Sequence, residues 1–399
     1  MPSQPLNRIL SGYGVTIFAT MSALATAHQA INLGQGFPDT DGPEDIRAAA
    51  AKALMDGPNQ YPPTQGMPEL RQAVAAHNAR FYALEIDWRT QVLVTSGATE
   101  AVAASLLALL NPGDEVVLFE PMYDCYLPMA QLAGATARAV RLRPPAWDLP
   151  REALAAACNE RTRVIVLNSP MNPTGKVFAR DELHYIADLA MAHDAIVVCD
   201  EVYEHLTFDG AAHIPLMTLP GMADRCVRIG SAGKSFSLTG WKVGYITAPP
   251  RLAEIIIKAH QFLTFTTAPN LQQAVAFGLT KDDAYFAGLA AQMQASRDLL
   301  GNGLRQIGFD ILPCQGTYFI TADYSAFAKA GEDDTAFCKR ITMEAGVAAI
   351  PLSAFSMAAM PGGDANNPPT EKLIRFCFCK QDAVLHEALA RLRRYLVRR

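Results

Sequence analysis

Residues 231–245 read Ser231-Ala-Gly-Lys-Ser-Phe-Ser-Leu-Thr-Gly-Trp-Lys-Val-Gly-Tyr245. They follow an apolar run at residues 226–229 that predicts a strand. Small residues surround Lys234 and allow a backbone or a ligand to approach closely, and the three aromatic residues that follow would exclude water. Together with the nearby cation Lys242, this setting favours a neutral amine on Lys234. A neutral amine attacks carbonyl carbons, so the stretch predicts a Schiff-base lysine.

Gly233-Lys234-Ser235 also resembles the end of the phosphate-binding loop of nucleotide triphosphatases. That motif requires a glycine where this chain has Arg228, and the helix signal after the lysine is poor. We therefore exclude that loop. A lysine in a solvated loop remains the alternative to the Schiff-base lysine, and the other motifs must decide between them.

The composition indicates a large apolar core and a small excess of acidic over basic residues. The chain has 399 residues, 50% of them hydrophobic, a formal net charge of -5 and a pI of about 5.9. We expect two domains and no nucleic-acid surface. The eight cysteines are scattered without a CxxC pair, the start of the chain lacks a signal-peptide core, and no apolar run reaches about 18–20 residues. We expect a cytoplasmic protein with no membrane segment and no metal site.

Strand and helix patterns alternate through the middle of the chain. Seven apolar runs read as strands, at residues 92–95, 115–119, 136–141, 163–167, 195–199, 226–229 and 243–247. Helical segments separate most of them, and a long helical region covers residues 252–304. This alternation predicts an α/β domain whose mostly parallel, seven-stranded sheet is covered by helices.

A smaller α+β unit follows the large domain in this interpretation. Its predicted strands lie at residues 311–321, 346–350 and 373–379, and a helix begins at Gln381. The predicted division is residues 1–40 for an N-terminal segment that packs with the small domain, 41–290 for the large domain and 291–399 for the small one.

Polar residues follow the apolar strands where ligands gather in such sheets, at the carboxyl ends. Asp200 follows residues 195–199, the turn 168–175 follows the preceding strand, and Gly97 opens a helix after the first strand. A carboxylate after so apolar a strand is desolvated unless it meets a cation. Asp200 is therefore either a helix cap or ion-pair partner, or the partner of a protonated ring nitrogen.

Arg375 lies in the otherwise apolar run at residues 373–379. An arginine there is costly without an anion, and its planar guanidinium suits a carboxylate. The alternatives are a structural ion pair and a carboxylate-binding site.

Taken together, these motifs resemble the fold type I, pyridoxal phosphate (PLP)-dependent class I aminotransferases over nearly the whole chain. Asn172-Pro-Thr-Gly175, Asp200-Glu-Val-Tyr203 and the stretch around Lys234 occur in the family's order. The ordered set is specific, whereas each piece alone is not. The resemblance implies a PLP cofactor, amino acid and 2-oxo acid substrates, and a homodimer with shared active sites.

The resemblance also implies a role for each matching residue. Lys234 would carry the cofactor, Asp200 would pair with its ring nitrogen, and Tyr203 would bind its phenolic oxygen. The remaining cofactor-binding residues would be Asn172 at the same oxygen, Gly97, Ala98, Thr99, Ser231 and Lys242 at the phosphate, Tyr123 on the ring, and Tyr61 at the phosphate of the neighbouring subunit. The substrate would be bound by Arg375 and Gly36 at its carboxylate, with Asn172, Phe18 and Tyr61 nearby.

Two stretches, at residues 14–22 and 347–353, are similar to the methionine aminotransferase branch, a neighbour of the kynurenine–oxoglutarate and glutamine–phenylpyruvate enzymes. The chain departs from many members at Lys242, where they carry arginine. No second arginine stands where it would bind a dicarboxylate side chain. The sequence therefore predicts transfer from methionine-like, aromatic, kynurenine or glutamine substrates.

Other activities remain open at this point. A β-lyase of the same fold, acting on cysteine conjugates or cystathionine, is the nearest alternative, followed by an aminotransferase specific for N-succinyldiaminopimelate or aspartate. A PLP-sensing regulator would carry a DNA-binding extension, which we do not expect here. An aldolase that forms a Schiff base without PLP explains neither Asp200 nor the turn at Gly97.

Overall fold

The computed structural model describes residues 6–363 and 369–397 of the chain. The strands and their bounds are β1 Ile31–Asn32, β2 Val92–Thr95, β3 Glu115–Glu120, β4 Thr136–Arg141, β5 Thr162–Asn168, β6 Ile196–Asp200, β7 Cys226–Ser231, β8 Gly244–Thr247, β9 Asp310–Ile311, β10 Phe319–Asp323, β11 Val347–Ala348, β12 Ile350–Pro351 and β13 Leu373–Cys377. They form three sheets of seven, four and two strands.

The helices surround these sheets. In chain order they are α1 Ile17–Ala27, α2 Glu44–Asp56, α3 Pro68–Tyr82, α4 Trp88–Gln91, α5 Ala98–Leu109, α6 Tyr126–Leu132, α7 Arg151–Ala157, α8 Arg180–Ala192, α9 Ala232–Ser235, α10 Pro250–Leu263, α11 Pro269–Leu279, α12 Asp283–Ile307, α13 Asp334–Arg340 and α14 Asp382–Leu396. The π-helical turn Ile341–Ala345 directly follows α13.

The large sheet has the order β2-β8-β7-β6-β5-β3-β4. Only β8 runs against its neighbours, β2 and β7, and all other pairs in this sheet are parallel. Every residue of β2, β3 and β7 is buried, as expected for strands covered on both faces. The predicted α/β fold with a mostly parallel seven-stranded sheet is confirmed, and each of its strands lies within one or two residues of the predicted bounds.

The small unit departs from the prediction in two places. The predicted strand at residues 311–321 is two strands, β9 and β10, separated by an irregular segment, because Pro313 cannot donate to a ladder and Thr317 has a φ of 70°. The predicted strand at residues 346–350 is also divided: β11 pairs with β1, whereas β12 pairs with β13.

The long helical region predicted at residues 252–304 consists of three helices, α10 to α12. Pro269 begins α11, and Asp282 caps α12 by accepting a hydrogen bond from the Tyr285 N–H. The predicted domain boundary after residue 290 falls inside α12, a continuous helix. The domain division itself stays a prediction.

One stretch of the described residues, Leu10–Ala27, has 18 residues and a mean hydropathy of 1.2, which by length and composition alone would allow a membrane-spanning helix. Its α-helical part is α1, of 11 residues. Such a helix is about 16 Å long, and the apolar part of a bilayer is about 30 Å thick. The α-helical part is therefore too short to cross a bilayer by itself.

Candidate active site

Lys234 lies on α9, directly after β7, at the carboxyl end of the large sheet. Its Nζ donates to the Tyr318 hydroxyl at 2.5 Å and lies 3.5 Å from the Gly36 carbonyl oxygen. Burial, together with a smaller effect of the charge of Arg375, lowers the pKa of Lys234 to about 8. A substantial share of this amine is therefore neutral near pH 8, as a nucleophile requires.

The aromatic rings near this amine differ from those that the sequence suggested. Tyr203 and Tyr318 have their ring centroids 5.7 and 5.1 Å from Lys234 Nζ. Phe236 and Tyr245 instead pack into a separate apolar core formed with residues of α2, α3 and α11. The chain turns so sharply at α9 that neighbours in sequence point away from the lysine side chain.

Asp200 is the last residue of β6 and is buried. The Tyr126 hydroxyl donates to its Oδ2 at 2.5 Å, whereas Oδ1 has no hydrogen-bond partner in the described part of the chain. Burial raises the pKa of this carboxyl group, and the bond from Tyr126 opposes that shift. An unpaired, buried carboxylate oxygen is costly unless a donor meets it, so Asp200 is prepared to bind a proton-bearing nitrogen.

Arg375 lies in β13 and is almost completely buried, with 1% of its surface exposed. Its Nη1 donates to Asn172 Oδ1 at 2.9 Å and its Nη2 to the Gly34 carbonyl at 2.5 Å, while Nε has no partner within residues 6–363 and 369–397. Its guanidinium lies 3.8 Å from the Phe319 ring centroid. Burial lowers the pKa of Arg375 to about 10. Among the described residues, the hydrogen bonds of this cation go to an amide oxygen and a backbone carbonyl rather than to a carboxylate, which favours the carboxylate-binding alternative over a structural ion pair.

Two loops place Asn172 and Gly36 beside Arg375. Asn168, the last residue of β5, accepts from the Asn172 N–H and donates to the Asp200 carbonyl, both at 2.8 Å. A Cβ on Gly36 would lie 2.6 Å from the Phe319 ring. Only glycine therefore allows the backbone at position 36 to lie against that ring.

A set of anion-binding groups lies at the other end of the cavity. Gly97, with a φ of 80°, precedes α5, so the first N–H groups of that helix point out of its end. A Cβ on Gly97 would lie 3.3 Å from Lys242 Nζ, and one on Gly244 would lie 2.6 Å from the Gly97 backbone. The close packing brings the helix start, Ser231 and Lys242 together in a setting that suits a phosphate.

These groups line one cavity of about 390 Å³. It collects most of the predicted site residues: Phe18, Gly36, Gly97, Ala98, Thr99, Tyr123, Asn172, Asp200, Tyr203, Ser231, Lys234, Lys242 and Arg375. Tyr61 is the exception, because it does not line the cavity and is 82% exposed. The roles predicted for all these residues stay predictions.

The sequence interpretation missed two hydroxyl groups of the site. Tyr126 begins α6 and binds Asp200, and Tyr318 binds Lys234. Tyr126 stands in the stretch that also contains Tyr123, but its direction depends on how α6 begins. Tyr318 carried no signal, because the segment around it read as a regular strand.

The donor set fits PLP on the evidence of this geometry. The cavity presents an amine at Lys234, an unpaired carboxylate oxygen at Asp200 and an anion site at the start of α5. PLP has a carbonyl carbon, a ring nitrogen and a phosphate, which are the partners that these three groups require.

Comparisons with known proteins agree with this assignment. The profile of the family aminotransferase class I and II matches residues 28–392. A probable N-succinyldiaminopimelate aminotransferase of Mycobacterium tuberculosis is 46% identical, and the methionine aminotransferase of Escherichia coli is 41% identical; the alignments cover 96% and 95% of this chain and 96% of each relative. The crystal structure of the E. coli enzyme superposes with a TM-score of 0.92 over 98% of this chain and 100% of that one, at 40% identity.

The chain belongs to the class I and II aminotransferase family. It is a PLP-dependent aminotransferase, as the sequence predicted. A kynurenine–oxoglutarate transaminase of Dictyostelium discoideum, 36% identical over 95% of this chain and 93% of its own length, is a further relative.

The pKa of Lys234 generates a prediction for the cofactor-free protein. Lys234 should react with a small acylating reagent half-maximally near pH 8, because burial disfavours its ammonium form. Ordinary lysines titrate near pH 10.4. Peptide mass spectrometry after brief labelling at a series of pH values measures the profile. A profile for Lys234 that rises only near pH 10 would contradict the role of burial.

Proposed function

We propose that the chain transfers the amino group of an apolar, aromatic or sulfur-containing amino acid, such as methionine, to a 2-oxo acid. The observation that carries this proposal is the set of charges around the cavity. Among the described residues, its basic side chains are Lys234, Lys242 and Arg375. The first two face the cofactor in the proposed arrangement, so one cation remains for one carboxylate.

The part of the cavity around Arg375, where the substrate would bind, is otherwise unsuited to a second carboxylate. Phe18 and Phe319 line it beside Thr16 and Gln35, and Asp124 adds a carboxyl group whose pKa burial raises. A dicarboxylic substrate would need a further donor there, because a buried anion is costly without a partner. The aromatic rings suit an apolar or thioether side chain.

The relative with the higher identity is described as acting on N-succinyldiaminopimelate, whose succinyl group ends in a carboxylate. Overall identity reflects the shared fold, whereas substrate choice depends on the few groups that contact the side chain. The charges of the cavity therefore favour the methionine-like substrate, and the succinylated one is the second candidate.

Six groups would hold the cofactor and substrate in this proposal. Lys234 binds PLP covalently, Asp200 holds the proton on its ring nitrogen, and Asn172 and Tyr203 bind its phenolic oxygen. Arg375, with the backbone of Gly36, binds the carboxylate of the amino acid. When bound, PLP supplies an electron sink for the electrons left at the α-carbon of the amino acid.

The chain itself supplies the proton transfers. The neutral amine of Lys234, once released, accepts the α-proton of the substrate and later returns a proton, so its pKa near 8 suits both directions. The carboxylate contact of Arg375 fixes the α-carbon relative to that amine. The same groups would serve both half-reactions, the one with the amino acid and the one with the 2-oxo acid. This predicts ping-pong kinetics.

A panel of amino donors and 2-oxo acids tests the substrate class. The holoenzyme should give its highest kcat/KM with methionine, phenylalanine, kynurenine or glutamine, and values at least about tenfold lower with aspartate or N-succinyldiaminopimelate, since an unpaired buried carboxylate costs more than about 1.4 kcal/mol. Chromatography should show a 2-oxo acid and a new amino acid in equal amounts.

Two results would contradict this assignment. A preference for N-succinyldiaminopimelate would establish the second candidate substrate. Pyruvate and ammonia formed from cysteine conjugates or cystathionine, in excess of transfer products, would indicate a β-lyase as the main activity.

We also propose a homodimer in which Tyr61 reaches the partner's site. Tyr61, Phe262, Leu263 and Phe265 form an apolar surface, with exposed fractions from 41% to 85%, and the rings of Tyr61 and Phe265 meet at 5.2 Å. Exposed apolar patches of this kind mark interfaces.

The apolar surface adjoins the phosphate end of the cavity. Ser96, next to Gly97, lies 3.3 Å from Thr267, which closely follows Phe265. His260 contacts Glu100 of α5 and the Thr64 carbonyl of the Tyr61 loop. A second copy on this surface would therefore stand beside the cofactor, which supports a shared site.

Mixing two impaired variants tests the shared site. Lys234→Ala should abolish turnover, and Tyr61→Ala should weaken it by loosening the phosphate. In a mixed dimer, one site regains both Lys234 and Tyr61, so the mixture should exceed either variant alone. No gain after subunit exchange would contradict sharing, and a monomeric mass by light scattering would contradict the dimer.

We further propose a cytoplasmic location. All eight cysteines are free, which suits a reducing compartment. Recovery of the native protein in a secreted or membrane fraction of its cells would contradict this.

A further inference from the structure

Tyr318 is the residue that contacts the Lys234 amine most closely. Its hydroxyl accepts from Lys234 Nζ at 2.5 Å and donates to the Gly36 carbonyl at 2.5 Å. One hydroxyl thus bridges the amine to the backbone segment that is proposed to hold the substrate carboxylate. A hydroxyl has one proton, so the donation to Gly36 leaves its lone pairs to the lysine.

The surroundings of Tyr318 fix the position of this hydroxyl. The residue is 2% exposed, and its ring packs against Phe319 at 4.7 Å and Tyr203 at 5.1 Å. The Phe378 N–H donates to its carbonyl at 3.0 Å. The rigid ring contrasts with the lysine, whose side chain has four rotatable bonds.

We propose that Tyr318 is a positioning residue, whose hydroxyl holds the released Lys234 amine at the place where it exchanges the α-proton of the substrate. This inference rests on the proposed catalytic role of Lys234. The amine must lie within about 3–3.5 Å of the proton-bearing carbon and correctly oriented. The Tyr318 hydroxyl is a fixed acceptor that restricts the position of the lysine amine, and the same hydroxyl keeps Gly36 in place.

Tyr318→Phe tests this role, because it removes the hydroxyl and keeps the ring contacts. The holoenzyme variant should lose about 10- to 100-fold in kcat, since a small misplacement of a reacting group costs up to about 100-fold. The KM for the amino acid should rise by a smaller factor, because the Gly36 carbonyl loses its donor while Arg375 is unchanged. The primary isotope effect with a Cα-deuterated amino acid should rise, because proton transfer becomes slower relative to the other steps.

Tyr285→Phe is the matched control. The Tyr285 hydroxyl donates to the Ser235 carbonyl at 3.0 Å, one residue from Lys234, without contacting the amine. This variant should keep the wild-type kcat and isotope effect. Thermal unfolding of both variants verifies that each is folded.

A second readout uses the cofactor-free protein. Loss of the acceptor disfavours the ammonium form, so half-maximal acylation of Lys234 should move to lower pH in Tyr318→Phe and stay in place in Tyr285→Phe. If Tyr318→Phe matches Tyr285→Phe in kcat, isotope effect and labelling, the positioning role is wrong. Lys234→Ala in the same assays separates this failure from failure of the proposed function. An inactive Lys234→Ala means that only the role of Tyr318 is wrong, whereas an active Lys234→Ala would overturn the proposed function itself.

Discussion

The constraint on which this structure depends is the placing of three charged side chains in one cavity, two of them buried with incomplete hydrogen bonding. Among the residues that the structure describes, Asp200 keeps an oxygen without a partner and Arg375 keeps Nε without one, while Lys234 lies where burial lowers its pKa to about 8. Each arrangement costs folding free energy, several kcal/mol for an ion taken from water. A protein that keeps such groups is prepared for ligands that complete the pairing.

The fold holds these groups in place through rigid elements. Asn168 and Asp200 are direct register partners at the ends of β5 and β6, and Lys234 follows the next strand, β7. Arg375 comes from β13 of the four-stranded sheet, and its hydrogen bond to Asn172 links that sheet to the seven-stranded one. In the proposed arrangement, the amino acid would therefore bind between these two sheets, at the edge where the parallel strands end.

Much of this arrangement is predictable from the sequence, because its physical causes are local. Asp200 and the turn at Asn172 are polar residues directly after apolar strands, and the carboxyl ends of parallel strands meet at one edge. Arg375 is visible because a guanidinium in an apolar strand demands a partner. The seven strands of the large sheet follow from their apolar runs.

The remaining features depend on contacts between distant segments. Tyr318 lies in an irregular segment after Pro313, where a strand pattern gives no direction for a side chain. Its partners, Gly36 and Lys234, are 282 and 84 residues away in sequence. The sequence also predicted the wrong aromatic rings near the amine, because the short helix α9 directs the Phe236 side chain into a separate apolar core. Side-chain direction after such turns is set by packing rather than by sequence spacing.

The central claim is that Lys234 and Asp200 hold opposite ends of one PLP ring. The most direct measurement is reduction of the holoenzyme with borohydride, followed by peptide mass spectrometry to find the lysine that retains the cofactor. We predict a single pyridoxyl adduct, on Lys234. An adduct on Lys242 or on any other lysine instead, or no adduct in an active enzyme, would contradict the claim.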